Sequence, residues 1–227
     1  MARLTGVDSG YGALTVLTNV DFEVRVGDVA LITGPAAAGK TTFTHFLRLA
    51  MPVRAGRAVI MGVDAARAPP SALARAKRRI GYVAENPTFV EHWTAFENIA
   101  MPLKIGGAKG QDYTQDVREL VDFVGLGQAA DLPVEQISNA ERRRAALARA
   151  LAAKPDLILA DDPTSGMSPA DGHRIVRLLA EMRRVGAGVV ITSQDETLAD
   201  CAPCLRWTIN QGRLTRIDDY ESAEAYE

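Results

Sequence analysis

Val29-Ala30-Leu31-Ile32-Thr33-Gly34-Pro35-Ala36-Ala37-Ala38-Gly39-Lys40-Thr41-Thr42 decides the fold: an uncharged apolar run breaks at a glycine, and a helix-forming stretch resumes behind a lysine. Five uncharged residues after the turn at Gly27-Asp28 fit a short strand buried on both faces. The spacing from Gly34 to Thr41 is G-x-x-x-x-G-K-[ST], and the chemistry asks for each of those residue types. The two glycines let the backbone wrap with its N–H groups pointing inward, a nest for phosphate oxygens. The helix that follows adds the partial positive charge of its N-terminus. Lys40 is suited to reach the β- and γ-phosphates of a nucleotide, and the Thr41 hydroxyl to ligate Mg²⁺. Residues 34–42 are therefore expected to hold a nucleoside triphosphate, ATP, with Mg²⁺.

The second half of such a site is an acidic residue at the tip of a buried strand. Leu157-Ile158-Leu159-Ala160-Asp161 supplies it, placing Asp161 where it can hold the metal directly or through water. Asp162 follows, at the position expected for a general base that activates the attacking water.

Around these two anchors strands and helices alternate. Val20, Phe22, Val24 and Val26 alternate with charged residues as in a half-buried strand, and Ile80 to Val83 and Val189 to Thr192 read as buried strands. Helical patterns run from Ser71 to Arg79 and from Ala170 to Arg184, and a hairpin around Gln211-Gly212 follows. Between about residues 86 and 153 the rhythm changes to helical periodicity alone, with Val117, Leu120, Val121 and Val124 on one face. The expected organisation is one α/β domain spanning 1–227, its core made of 1–85 and 154–227 and interrupted by a helical subdomain at 86–153.

Composition excludes several classes. The 227 residues are 47% hydrophobic and 24% charged with a formal net charge of -2, ordinary for a globular domain and offering no nucleic-acid surface. Arginine clusters such as Arg78-Arg79 and Arg142-Arg143-Arg144 fall in helical segments and read as solvated faces. No run of 18 apolar residues occurs, and the start of the chain lacks a signal-peptide pattern, so a cytosolic chain is expected. Cys201 and Cys204 form a lone C-x-x-C without the further ligands that a zinc site needs, and are expected to be reduced.

The order of features resembles the ABC ATPase family along nearly the whole chain: Tyr11 near the start, the phosphate loop, a helical insertion, a signature-like helix start at Ser138, Asp161 closing a strand, and Gln194 late. Within that family, the segment 94–103 (Thr-Ala-Phe-Glu-Asn-Ile-Ala-Met-Pro-Leu), Val124-Gly125-Leu126 and the stretch 159–164 are similar to cell-division ATPases of the FtsE type and their lipoprotein-export relatives. The resemblance implies a RecA-like P-loop NTPase core, a mixed sheet with antiparallel N-terminal strands, and an inserted α-helical subdomain. It implies Tyr11 stacking on adenine, and Ser138 touching the nucleotide of a second copy in an ATP-sandwich homodimer. It also implies an integral membrane partner, an FtsX-like permease, at the cytoplasmic face of the inner membrane. That partner would dock in the groove beside the insertion, near Phe89, His92, Trp93 and Phe96.

Five positions depart from the family pattern. The Leu-Ser-Gly-Gly-Gln/Glu signature is Ile137-Ser138-Asn139-Ala140-Glu141, so alanine replaces a glycine that permits close backbone approach. The catalytic glutamate is Asp162, one methylene shorter; the Gln expected near the metal is Glu85; and the switch His aligns with Gln194, which cannot titrate near neutral pH. Ser168 stands where the family has an interface aspartate. Catalytic roles are thus expected for Asp162, Gln194 and Glu85, metal ligation for Thr41, Asp161 and Glu85, and slow hydrolysis overall.

Overall fold

The computed structural model describes residues 1–107 and 110–217. The first hairpin, β1 (Ala2–Tyr11) and β2 (Leu14–Val24), joins β4 (Ala55–Ile60) and β5 (Val63–Asp64) in an antiparallel sheet of order β2-β1-β4-β5. The second sheet contains β3 (Val29–Thr33), β6 (Ile80–Val83), β7 (Leu157–Asp161), β8 (Gly188–Ser193), β9 (Leu205–Asn210) and β10 (Arg213–Ile217). Its order is β10-β9-β3-β8-β7-β6, parallel except where β10 returns antiparallel along β9. The expected antiparallel N-terminal strands therefore form a sheet of their own. Val26, expected at the end of a strand, lies two residues beyond β2 and is exposed.

Every residue of β3, β7 and β8 is buried, which is why these strands read as continuous apolar runs. Their alternate side chains divide between two cores. Val29, Leu31, Ile158, Ala160, Val189 and Ile191 pack into a core shared with the helices of the insertion and with α6 (Pro169–Glu181). Ala30, Ile32, Leu157, Leu159 and Val190 pack on the other face, against the antiparallel sheet and Phe43, Phe46 and Leu47 of α1 (Lys40–Leu47). The parallel sheet is thus the middle layer of three.

The connection from β4 and β5 to β6 carries α2 (Pro70–Arg78). Between β6 and β7 lie α3 (Ala95–Ile105), α4 (Gly110–Val124) and α5 (Asn139–Leu151), and no strand among the described residues. Val117, Val121 and Val124 of α4 are buried and Leu120 packs against them, as their spacing implies. β3, β8 and β7 run parallel side by side, so their C-terminal ends share one edge. Open α/β sheets bind ligands in the crevice at that edge.

Candidate functional site

At the C-terminal end of β3 the chain turns through the glycine-rich loop into α1. Gly39 sits at φ 109°, a left-handed conformation that a Cβ disfavours, and its carbonyl accepts the first bond of the helix from Phe43 N–H at 2.8 Å. Gly34 is required for a second reason that its motif role does not reveal. A Cβ there would lie 2.2 Å from the Ile209 carbonyl oxygen of β9, so the loop leaves the sheet only by passing close beside that strand. The β9–β10 turn braces the loop as well, with Gly212 N–H donating to the Ala38 carbonyl at 2.9 Å.

Lys40 folds back over this loop and donates to the carbonyls of Gly34 at 2.7 Å and Pro35 at 2.8 Å. Burial pushes the Lys40 ammonium below its ordinary value, while Asp162, Asp161 and Glu85 act against that shift. The two carbonyls hold the Lys40 ammonium against the loop.

Asp161 ends β7 and is 2% exposed. It accepts hydrogen bonds from the Thr192 hydroxyl on β8 at 2.8 Å and from the Tyr82 hydroxyl on β6 at 3.3 Å. Burial and the adjacent Asp161 carboxylate push the Tyr82 phenol up to about 12, so it stays a donor. Asp162 adopts φ 41° and is fixed by its N–H donating to the Thr192 carbonyl at 3.0 Å. Burial raises its carboxyl above the usual aspartate range and Asp161 adds to this; Lys40, Gln194 and Ser193 oppose it.

These elements surround a cleft of about 300 Å³. Its wall includes Ala36, Ala37, Gly39, Lys40, Thr41 and Thr42 from the loop, with Glu85, Asp161, Asp162 and Gln194 opposite. Gly34, Pro35 and Ala38 shape the loop without lining the cleft. Val16 of β2 adds an apolar wall that no motif announced, because one valine in a strand carries no sequence signal.

Two expected residues stand apart. Tyr11 is 47% exposed at the tip of the β1–β2 hairpin, its hydroxyl 3.4 Å from His45 Nδ1 on α1. Ser138 caps α5: its hydroxyl accepts from Glu141 N–H at 3.3 Å, and Glu141 Oε2 accepts from Ser138 N–H at 2.8 Å. Ser168 likewise caps α6, accepting from Asp171 N–H at 3.2 Å.

The donor chemistry fits a magnesium nucleotide. The Thr41 hydroxyl and the Asp161 and Glu85 carboxylates are hard oxygen donors around one cleft, and loop N–H groups with Lys40 suit phosphate oxygens. No compact cluster of His, Cys, Asp and Glu able to hold a metal by itself exists among the described residues. Mg²⁺ bound through one or two carboxylates, substrate phosphates and water needs none.

A family model described as ABC transporter matches residues 17–165. The cell-division ATP-binding protein FtsE of Escherichia coli (strain K12) is 32% identical over 216 residues, covering 94% of this chain and 97% of FtsE. The lipoprotein-releasing system ATP-binding protein LolD of Bacteroides fragilis is 32% identical over 201 residues, 88% of this chain and 93% of LolD. A solved dimeric ATP-binding cassette in a post-hydrolysis state, bound to ADP and Pi, superposes with a TM-score of 0.85 at 25% identity, covering 97% of this chain and all of that one. With the glycine-rich loop, the acidic strand tip and the three-layer fold in one chain, this protein belongs to the ABC transporter family as an ATP-binding cassette.

Proposed function

We propose that the chain binds Mg-ATP in this cleft and hydrolyses it slowly, as the energy-coupling subunit of an FtsE/FtsX-like complex at the cytoplasmic face of the inner membrane. The observation that carries this is the meeting of Lys40, Thr41, Asp161, Asp162, Glu85 and Gln194, drawn from four separate segments, on one 300 Å³ cleft. Lys40 exchanges its bonds to the Gly34 and Pro35 carbonyls for phosphate oxygens. Thr41, Asp161 and Glu85 would hold Mg²⁺, which would supply charge neutralisation for the phosphates. Asp162 accepts a proton from the attacking water while the Gln194 amide orients it.

Two such chains, head to tail, close over two nucleotides with Ser138 of each facing the nucleotide of the other; the dimeric neighbour supports this arrangement. Residues 86–153 act as a helical subdomain moving against a core of 1–85 and 154–227, of which 218–227 lie outside the described residues. The membrane permease docks in the groove between them. No helix among the described residues is long and apolar enough to cross a membrane, which leaves the crossing to that partner.

Slow turnover follows from Asp162, whose carboxylate is set back by one methylene on a backbone at φ 41°. Wild-type turnover is expected well below the order of ten per second common to enzymes. Asp162→Glu together with Gln194→His should raise it by about tenfold or more. Phosphate release from purified protein, alone and with its membrane partner, measures both. Wild-type turnover of tens per second, or no gain in the double variant, would overturn the slow-motor reading. The same departures favour a second reading, a hydrolysis-deficient scaffold; ATP binding without any phosphate release would select it. The similarity to LolD supports a third, lipoprotein or solute export, which identification of the co-purifying permease decides.

A further inference from the structure

Arg143 points from α5 into the protein and is 7% exposed. Its Nη1 donates to the backbone carbonyl of Glu85, and its Nη2 to the backbone carbonyl of Ser165 at 3.0 Å. Nε is buried and finds no acceptor among the described residues. Those two carbonyls belong to different connections. Glu85 lies on the segment leaving β6. Ser165 lies in the turn after Asp162, where its own N–H donates to the Asp162 carbonyl at 3.2 Å. One guanidinium therefore ties α5 to both segments whose carboxylates line the cleft.

The choice of partners is unusual for a buried cation. Buried charges are ordinarily paired with an opposite charge, because desolvation is costly and two neutral carbonyls cannot cancel it. The acidic groups facing Arg143 are Glu85 and Asp162, which act to stabilise its charged form against burial. Glu85 and Asp162 in turn crowd their charge beside Asp161 in the same cleft. Each side of this arrangement needs the other: the carboxylates offset a desolvated guanidinium, and the guanidinium offsets carboxylates in a site meant for phosphate.

We infer that Arg143 is a positioning residue that holds Glu85 and Asp162 in register and couples them to the N-terminus of α5. It rests on the proposed ATP site but concerns how that site is assembled. Ser138 and Arg143 are separated by five residues, about 7.5 Å of helix, so whatever seats on the start of α5 moves the bracket as one rigid unit. Engagement of that helix end by a second subunit is then felt at Glu85 and at Asp162 together.

Hydrogen exchange on the nucleotide-free protein reads the bracket directly. Arg143→Gln should lose protection in 84–90 and in 163–168 together, while β7 and β8 stay protected. In steady-state hydrolysis Arg143→Gln should lower kcat by about tenfold, as loss of alignment does, and shift KM by less than about threefold. Arg143→Lys, which keeps the charge but cannot span two carbonyls, should fall between. Adding Glu85→Gln to Arg143→Gln should restore part of the lost rate, because a neutral pair needs no offset. Unchanged exchange in either segment, or strictly additive effects of the two substitutions, would overturn the inference. Should Arg143→Gln fail to fold, exchange in Arg143→Lys decides it by the same two segments. A wild-type protein that binds no ATP would sink the proposed function and leave the exchange result standing.

Discussion

Asp162 carries a partly buried carboxylate on a left-handed backbone, beside a second carboxylate, at the tip of a strand. Each of those circumstances costs stability, and function is the usual reason such costs persist. Burial holds its folded-state pKa above the unfolded one, so the charged form destabilises the native state at any pH above the raised value. Asn is uncharged, nearly isosteric, and tolerates positive φ. Asp162→Asn should therefore raise the melting temperature of the nucleotide-free protein at neutral pH, by about 2–4 °C if about 1 kcal/mol is recovered. The gain should vanish as pH falls below the ordinary aspartate range, where Asp162 is neutral both folded and unfolded. Calorimetry across that range checks it, and a fall in melting temperature at neutral pH would mean that attraction to Lys40 outweighs burial. At this scale the sequence was informative: the pattern from Gly34 to Thr41 and the pair Asp161-Asp162 name their chemistry by residue type and spacing. The close pass of Gly34 against Ile209, the Val16 wall and the Arg143 bracket were not legible. Each depends on a partner far away in the chain, and no local spacing records it.

Two helices of the insertion begin with the same device. Thr94 and Glu97 form a capping box on α3, and Ser138 and Glu141 form one on α5. Such caps contribute about 1 kcal/mol each through otherwise unsatisfied N–H groups. The pair separates a structural role from a ligand-binding one. Thr94→Ala should lose about 1 kcal/mol of stability and leave ATP-dependent dimerisation intact. Ser138→Asn should keep stability within about 0.5 kcal/mol, since Asn caps as well as Ser. Its larger side chain should nonetheless abolish the Mg-ATP-dependent dimer if Ser138 meets the partner's phosphate. Light scattering with and without Mg-ATP, beside a melting curve, measures both; a normal dimer in Ser138→Asn would reduce Ser138 to a cap. Elements were legible where their period survives. The buried strands Leu157–Asp161 and Gly188–Ser193 stand out as unbroken apolar runs. β1 does not, because its register with β2 shifts between Leu4 and Val7, Val7 and Ser9, and Ser9 and Gly10, and each shift breaks the alternation.

Across the whole molecule the net charge of -2 conceals a local imbalance. A groove of about 1100 Å³ runs between the insertion and the edge of the parallel sheet. Phe89, Met101, Leu103 and Ile105 supply an apolar floor, with Arg48, Lys77, Arg78 and Arg149 among its walls. Lys77 and Arg78 look like an ordinary solvated helix face in sequence; only the fold gathers them with Arg48 and Arg149. Of the four aromatics expected to meet a membrane partner, Phe89 alone lines this groove, beneath the Arg149 guanidinium at 4.5 Å. Trp93 and Phe96 are covered instead by Lys104 at 5.3 Å and Arg118 at 4.5 Å, and His92 is exposed outside the groove. An apolar floor walled by cations suits a segment with an aliphatic anchor and flanking acidic residues, offered by the permease proposed above. Ile105 is the sharpest probe because it is 79% exposed and supports little of either core. Ile105→Asp should change folding stability by less than about 0.5 kcal/mol, as exposed substitutions do. It should nevertheless put a charge on the apolar lining that receives the permease's aliphatic anchor, and abolish co-purification with the permease from detergent-solubilised membranes. Reversing a rim charge with Arg78→Glu, an exposed residue of the same groove, should weaken the same association and reduce its sensitivity to salt, since part of the attraction between cationic rim and acidic partner would be lost. Retained association in both variants would place the docking surface elsewhere, and the contrast between them separates the apolar contribution from the charged one.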